Sequence, residues 1–197
     1  MVYEIYETRA FILSAHNIGE GNCLFNLFTK DLGLVKAVAQ NIRSEKSKLR
    51  YNLQAYSSSN VSLVRGKEYW RIVGAKDAEH FFYFFKDSPE KICLLKRLFS
   101  LLSRMIQGEG GNSYLFETID GAILALGSDF ISGESTKHLE ILTVSRILWS
   151  LGYFSEPIVY KVFFSDTRFD SEVLDSIASL EKHFLSDINR AIHESHL

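Results

Sequence analysis

Apolar and polar positions follow different patterns in the two halves of the chain. In the first 80 residues, short β-prone runs alternate with turn residues such as Asn17-Ile18-Gly19, and this pattern predicts five strands. The expected strands cover residues 6–18, 22–29, 33–39, 61–65 and 68–75. The run over residues 22–29 is apolar on both faces, which favours a strand that is covered on both sides.

Beyond residue 87, apolar residues recur at intervals of three and four, which is the helical period. Helices are predicted over residues 88–107, 112–126, 135–151 and 170–192. The third is apolar nearly all round, as in a helix at the centre of a bundle. Five short strands fit a small barrel of the OB type. The sequence thus predicts an α+β fold with two domains, a five-stranded OB-fold barrel in residues 1–80 and an all-helical domain in residues 81–197.

Five consecutive aromatic residues, Phe81 to Phe85, stand at the predicted domain boundary. So many rings cannot all face water without favouring aggregation. We therefore interpret the run as a seam that packs the barrel against the helices. A base-stacking platform is the alternative, although stacking rings are expected to alternate with cations.

The net charge of −2 argues against a nucleic-acid-binding protein, but the distribution of charge changes that view. Residues 1–80 contain 11 Lys and Arg against 8 Asp and Glu, whereas residues 81–197 contain 11 against 16. Between residues 36 and 76, nine cations stand against two acids. The asymmetry indicates two domains with different partners.

Catalytic and metal-binding patterns are missing from the sequence. Cys23 and Cys93 are far apart, and neither has a second Cys or a His at the spacing of a zinc site. Gly19-Glu20-Gly21 lacks the rest of a phosphate-binding fingerprint. We therefore expect no catalytic residues, no metal and no other cofactor, and the protein is not expected to be an enzyme. Without a signal peptide or an apolar run of membrane-spanning length, a cytoplasmic protein is expected.

The segment from Gly33 to Arg71 carries the clearest functional signal. A strand leads into a polar, basic loop over residues 40–50, and further cations follow beside Tyr69 and Trp70. Cations for phosphates beside rings for bases are the arrangement that holds single-stranded nucleic acid. The alternative is that the lysines only keep a surface loop solvated.

Five short motifs of the first domain form a set: Thr8-Arg9-Ala10-Phe11-Ile12-Leu13, Gly19-Glu20-Gly21-Asn22, Leu27-Phe28-Thr29-Lys30-Asp31-Leu32-Gly33-Leu34, Lys36-Ala37-Val38-Ala39 and Ser47-Lys48-Leu49-Arg50. Over residues 6–78, this set resembles the N-terminal domain of the RecO family of bacterial recombination mediators. Further on, Leu148-Trp149-Ser150-Leu151-Gly152-Tyr153 is similar to the family's leucine-rich helix that ends in Leu-Gly.

The resemblance implies a non-enzymatic DNA-binding protein of recombinational DNA repair, with an OB-fold followed by a helical domain. Such a protein binds single- and double-stranded DNA, anneals complementary strands and helps to load the recombinase RecA. Its implied partners are RecR and the acidic C-terminal tail of single-stranded DNA-binding protein. The residues implied to contact DNA are Lys36, Arg43, Lys46, Lys48, Arg50, Arg65, Lys67, Tyr69 and Arg71.

The second domain departs from the family pattern. Some members have a four-cysteine zinc module there, whereas this chain has only Cys93, so it resembles a short, zinc-free member. Four cations are candidates for receiving an acidic tail, and ordinary solvent-facing helix charges are their alternative role: Lys96, Arg97, Arg104 and Arg146. A different class of function also stays open, that of an adaptor that docks protein subunits and whose DNA binding depends on a partner such as RecR.

Overall fold

The computed structural model describes residues 4–154 and 160–195, and the chain divides into two compact units. The first unit consists of Met1–Asp87 and Phe99–Asn112, and the second of Ser88–Leu98 and Ser113–Leu197. One long helix therefore contributes its first part to the second unit and its last part to the first.

The first unit contains five strands: β1 (Ile5–Ile18), β2 (Asn22–Thr29), β3 (Gly33–Ala39), β4 (Ser57–Val64) and β5 (Trp70–His80). Hydrogen bonds connect them in the order β1-β2-β3-β5-β4 and close the sheet into a barrel. All neighbours are antiparallel except β3 and β5, which are parallel. The predicted five-stranded N-terminal sheet is confirmed, and β4 and β5 are longer than the sequence pattern predicts.

The strand β1 closes the barrel because its 14 residues pair with two neighbours. Residues Ile5 to Ile12 pair with β4, and residues Ala10 to Ile18 pair with β2. The register with β2 shifts between Ile12 and Ser14, which is the mark of a bulge that bends a strand. Apolar side chains fill the barrel core, among them Ala10, Ile12, Phe25, Leu27, Val35, Ala37, Val61, Leu63, Trp70 and Ile72.

Seven helices lie in the described residues: α1 (Leu49–Asn52), α2 (Phe81–Phe84), α3 (Pro89–Met105), α4 (Ser113–Leu126), α5 (Glu134–Ser150), α6 (Lys161–Phe164) and α7 (Ser171–Glu194). The four long helices confirm the predicted ones, whereas the three short helices were not predicted. In the second unit, α5 contacts α4, α6 and α7, as expected for a helix that is apolar nearly all round. None of the helices in the described part of the chain has the length and apolar character that a membrane span requires.

The outer face of β1 and β2 is covered by aromatic side chains. Phe11 and Phe28 are fully buried, and their rings stack with centroids 6.5 Å apart. Phe11 also contacts Phe81 of α2 and Phe99 of α3, which belong to the same unit. This cover explains why β2 is apolar on both of its faces.

The aromatic run at residues 81–85 has two different sides. Phe81 and Phe85 are buried, whereas Phe82, Tyr83 and Phe84 are exposed. The interpretation of the whole run as a packing seam is therefore wrong for its three central rings. Those rings face solvent because one short helical turn can direct only part of five consecutive side chains inward.

Residues from the end of α3 to α4 return to the β2–β3 turn and approach it closely. The Gly110 N–H donates to the Leu32 carbonyl at 3.0 Å, and Gly33 forms an isolated bridge with Glu109. Gly33 has a φ of +71°, and a Cβ placed there would lie 2.4 Å from the Gly110 oxygen. Only glycine therefore fits this position.

We predict that Gly33→Ala lowers the free energy of unfolding by at least about 2 kcal/mol, because it adds a backbone clash to the strain of a left-handed residue. Gly19→Ala is the matched control, since Gly19 has a φ of +58° and open space around its missing Cβ. It should lose only about 1 kcal/mol, from backbone strain alone. Urea unfolding of both variants measures the difference, and equal losses would contradict the close approach.

Candidate nucleic-acid interface

The segment between β3 and β4, residues 40–56, is called the basic segment here, and it is fixed to one end of the barrel. Ile42 and Leu53 are buried and belong to the barrel core. The Asn41 N–H donates to Asn22 Oδ1 at 3.0 Å, and the Arg43 N–H donates to the Gly21 carbonyl at 3.2 Å. Core anchors and backbone hydrogen bonds thus hold both ends of the basic stretch.

The cations between these anchors face solvent. Lys46, Lys48 and Arg50 are exposed, and none of their side chains makes a hydrogen bond or an ion pair with another residue that the structure describes. Arg43 is exposed too, and its guanidinium donates to the Gly19 carbonyl at 3.4 Å. Three free cations on an anchored segment can bind phosphates without first breaking an internal ion pair.

Two open depressions lie beside the basic segment, and Arg43 borders both. One has a volume of about 380 Å³ and is lined by Glu20, Gly21, Asn41, Arg43 and Ser44. The other, of about 330 Å³, is lined by Ala15, Asn17, Cys23, Phe25, Ile42, Arg43, Arg50 and Leu53. Burial raises the pKa of the Cys23 thiol, against the smaller opposite effect of nearby Arg43. The lining of the second depression combines apolar residues with two arginines, Arg43 and Arg50.

Two further predicted cations lie on the outside of β3 and β5. Lys36 and Arg71 are both exposed. Arg71 is paired with Val38 in the sheet, and Val38 lies two residues from Lys36, so that the two cations lie on the same face of adjacent strands. Neither has an ion-pair partner among the described residues.

The remaining predicted residues lie in the loop between β4 and β5, and one of them has an ion-pair partner. The Arg65 guanidinium lies 3.4 Å from Glu109 Oε2 and 5.5 Å from the centre of the Trp70 ring. The Trp70 Nε1–H donates to Glu109 Oε1 at 2.8 Å. Lys67 is exposed, and Tyr69 is half-buried with its pKa raised by a hydrogen bond to the Glu68 carboxylate. Arg65 is thus the member of the set with a carboxylate partner.

Sequence reasoning missed Glu109, which neutralises one of the predicted DNA contacts. It stands between glycines in a stretch that predicts only a helix end. It also missed Tyr51, which directly follows the Ser47-Lys48-Leu49-Arg50 motif and is exposed. That adjacency was the available signal for Tyr51, whereas nothing in the local sequence links Glu109 to Arg65.

The four cations proposed for an acidic tail do not form one surface of one unit. Lys96, Arg97 and Arg146 belong to the second unit and Arg104 to the first. Lys96 and Arg104 are exposed, and Arg97 makes a two-pronged ion pair with Glu140, at 2.6 Å for each hydrogen bond.

Arg146 requires a correction, because it is only 1% exposed and cannot receive a tail at the surface. Its guanidinium donates to the carbonyls of Phe163 at 2.8 Å and Arg168 at 3.0 Å, and it lies 4.4 Å from the centre of the Phe169 ring. Burial lowers its pKa to about 10, so it stays charged at neutral pH. Arg146 therefore holds the chain around α6 against α5.

The fold and the site together define a protein with a small closed β-barrel, an anchored and exposed basic segment at one barrel end, and a helical second unit. Residues 1–81 match the family described as Recombination protein O N terminal.

Relatives with known names support the same family. A DNA repair protein RecO from Dehalococcoides mccartyi is 28% identical over 136 residues, which are 69% of this chain and 53% of that protein. That of a second strain is 37% identical over 76 residues, 39% of this chain and 30% of its own length. One from Pelotomaculum thermopropionicum is 28% identical over 127 residues, 64% of this chain and 49% of that protein.

The family match over residues 1–81 and the named relatives support membership of the RecO family, and the resemblance seen in the sequence motifs is confirmed. The chain spans about half of the length of the curated relatives it matches, or less.

We predict that Arg146→Met lowers the free energy of unfolding of the second unit by about 1–3 kcal/mol, because two carbonyls lose their donor. Lys96→Met, at an exposed position of the same unit, should change it by less than about 0.5 kcal/mol. Thermal unfolding followed by circular dichroism compares the two. An Arg146→Met protein as stable as the wild type would show that these hydrogen bonds contribute nothing net.

Proposed function

We propose that the chain is a non-enzymatic DNA-binding protein of recombinational DNA repair, which binds single- and double-stranded DNA, promotes strand annealing and helps to load the recombinase. Similarity to the RecO family supports the repair role, since the named relatives are DNA repair proteins. We also propose that the protein acts in the cytoplasm, together with its proposed partner DNA. RecR is a further proposed partner. Another is the acidic tail of single-stranded DNA-binding protein, and Lys96 and Arg104 are the exposed candidates for binding that tail.

One observation carries the DNA-binding proposal: Lys46, Lys48 and Arg50 are exposed, unpaired within the described chain and held on a segment whose ends are anchored in the barrel core. The strand order with a parallel β3–β5 pair supports an OB-fold, a barrel that commonly binds oligonucleotides. We infer that residues 1–80 form the binding module, with residues 99–112 packed against it as support.

The proposed annealing mechanism is charge neutralisation. Two complementary strands repel each other through their phosphates, and cations on a protein surface reduce this repulsion. Lys36 and Arg71 on the face of β3 and β5 extend the surface beyond the basic segment. Contacts restricted to the backbone and to base faces leave the base edges free to pair.

We predict that binding of labelled single-stranded DNA weakens steeply with salt. If five cations bind phosphates, the logarithm of affinity should fall against the logarithm of salt concentration with a slope of roughly −3.5. A Lys46→Ala, Lys48→Ala and Arg50→Ala triple variant should flatten the slope to roughly −1.4, because three contacts are removed. Fluorescence anisotropy over a salt series measures both values.

The matched control removes three exposed lysines of the second unit, by Lys96→Ala, Lys161→Ala and Lys182→Ala. The net charge changes by the same amount, so only a local effect of the basic segment separates the two variants. Equal effects would contradict a specific site. No binding of the wild type at low salt would favour the adaptor, whose DNA binding should recover when a RecR-like partner is added.

We further predict that Glu109→Gln strengthens DNA binding severalfold at low salt and steepens the salt slope by roughly 0.7, because Arg65 loses its carboxylate partner and becomes free to bind a phosphate. The Gln side chain can still accept the hydrogen bond from Trp70, so the local packing is kept. Glu117→Gln, at an exposed position of the second unit, makes the same change in net charge. An unchanged slope in Glu109→Gln would exclude Arg65 from the interface.

A further inference from the structure

Three aromatic side chains meet beside the basic segment, and together they are called the ring cluster: Tyr51, His80 and Tyr83. The Tyr51 and His80 rings meet edge to face, with centroids 4.7 Å apart and planes at 75°. Tyr83 contacts His80 in the same way, at 6.0 Å and 88°. The cluster joins α1, the end of β5 and α2, all within the first unit.

The two tyrosines are held in place and yet face solvent. Tyr51 is 65% exposed and Tyr83 is 64% exposed. The helix α1 contacts β5, and Phe81 at the start of α2 is buried against Phe11 and Phe99. Packing thus fixes both short helices, so the exposed rings are carried by supported backbone and not by a free loop.

His80 supplies a second, independent sign of a ligand. Its ring is only 8% exposed, and neither Nδ1 nor Nε2 has a hydrogen-bond partner among the described residues. Buried polar atoms without partners are rare in native proteins, and each calls for an explanation such as a bound water, an ion or a functional role. Here the unpaired imidazole lies between the two exposed rings.

Charge indicates which ligand fits the ring cluster. Arg50 directly precedes Tyr51 in the chain and Lys48 lies three residues before it, and both are free of ion pairs in the described structure. Arg50 borders the second depression, whereas Tyr51 contacts His80, so α1 presents a cation and a ring in neighbouring positions. A ring beside a cation is the arrangement that binds single-stranded nucleic acid. The aromatic run at residues 81–85 contains no cation of its own.

We propose that the ring cluster is a base-stacking surface for single-stranded DNA, in which Tyr51 and Tyr83 stack on bases while Lys48 and Arg50 bind the adjoining phosphates. The proposal rests on the DNA binding proposed above. It adds that the rings contact the bases of the DNA. Stacking tolerates any sequence, because every base has a π face. It also leaves the base edges open, as strand annealing requires.

The test compares oligothymidylate with an abasic oligomer of equal length, which has the same phosphates but no bases. Wild-type protein should bind oligothymidylate about 100-fold more tightly, since each of two stacked bases contributes roughly 10-fold, and Tyr51→Ala and Tyr83→Ala should each remove roughly 10-fold of that preference. Their affinity for the abasic oligomer should not change. Tyr51→Phe keeps the ring and should behave as the wild type, and Phe130→Ala removes an exposed ring of the second unit as a control.

Fluorescence gives a direct readout that does not depend on affinity. Tyr51→Trp places an indole at the proposed stacking position, and its emission should be quenched by oligothymidylate and not by the abasic oligomer. Equal wild-type affinity for both oligomers, or an undiminished preference in Tyr51→Ala and Tyr83→Ala, would overturn the stacking proposal while leaving phosphate binding intact. Failure of both oligomers to bind at low salt would instead overturn the DNA-binding function on which it rests.

Discussion

The double pairing of β1 is the constraint on which the first unit depends. A single strand of 14 residues must bond to β2 along one part and to β4 along another, and the bulge between Ile12 and Ser14 lets it bend between them. Closure removes free sheet edges and buries one apolar core. Because the core is closed, Ile42 and Leu53 can fill one end of it and hold the basic segment there.

This anchoring separates stability from function within one short stretch of chain. The apolar residues Ile42 and Leu53 lose surface to water, which stabilises the fold, whereas the cations between them gain nothing from folding. Repulsion among the cations is tolerated because they stay solvated and screened. If the segment had a purely structural role, we would expect its cations to pair with carboxylates, as Arg65 does with Glu109 and Arg97 does with Glu140.

The sequence predicted the elements whose pattern is local and missed those that depend on distant partners. The polar start of β4 was missed, because its buried serines are satisfied only in the fold, where Ser58 donates to Glu79 and Ser59 to the Lys76 carbonyl. The cations of the basic segment were predictable, since an uninterrupted polar run must face water. The contact between Tyr51 and His80 was not, because 28 intervening residues must fold before the rings meet. Arg146 should have been recognised as buried, since it stands in a helix that is apolar nearly all round.

The physical extent of the barrel unit is wider than its sequence signature. The family match ends at residue 81, but Phe99 covers the outer face of β1, and Glu109 bonds to Trp70 in the barrel. A piece that ended at residue 80 would expose Phe11 and leave the Trp70 indole without its acceptor. Glu109 also forms an ion pair with Arg65. Residues 99–112 therefore complete the fold of this unit and also reduce the positive charge of the β4–β5 loop. Residues outside the strands therefore contribute both to the stability of the barrel and to its surface charge.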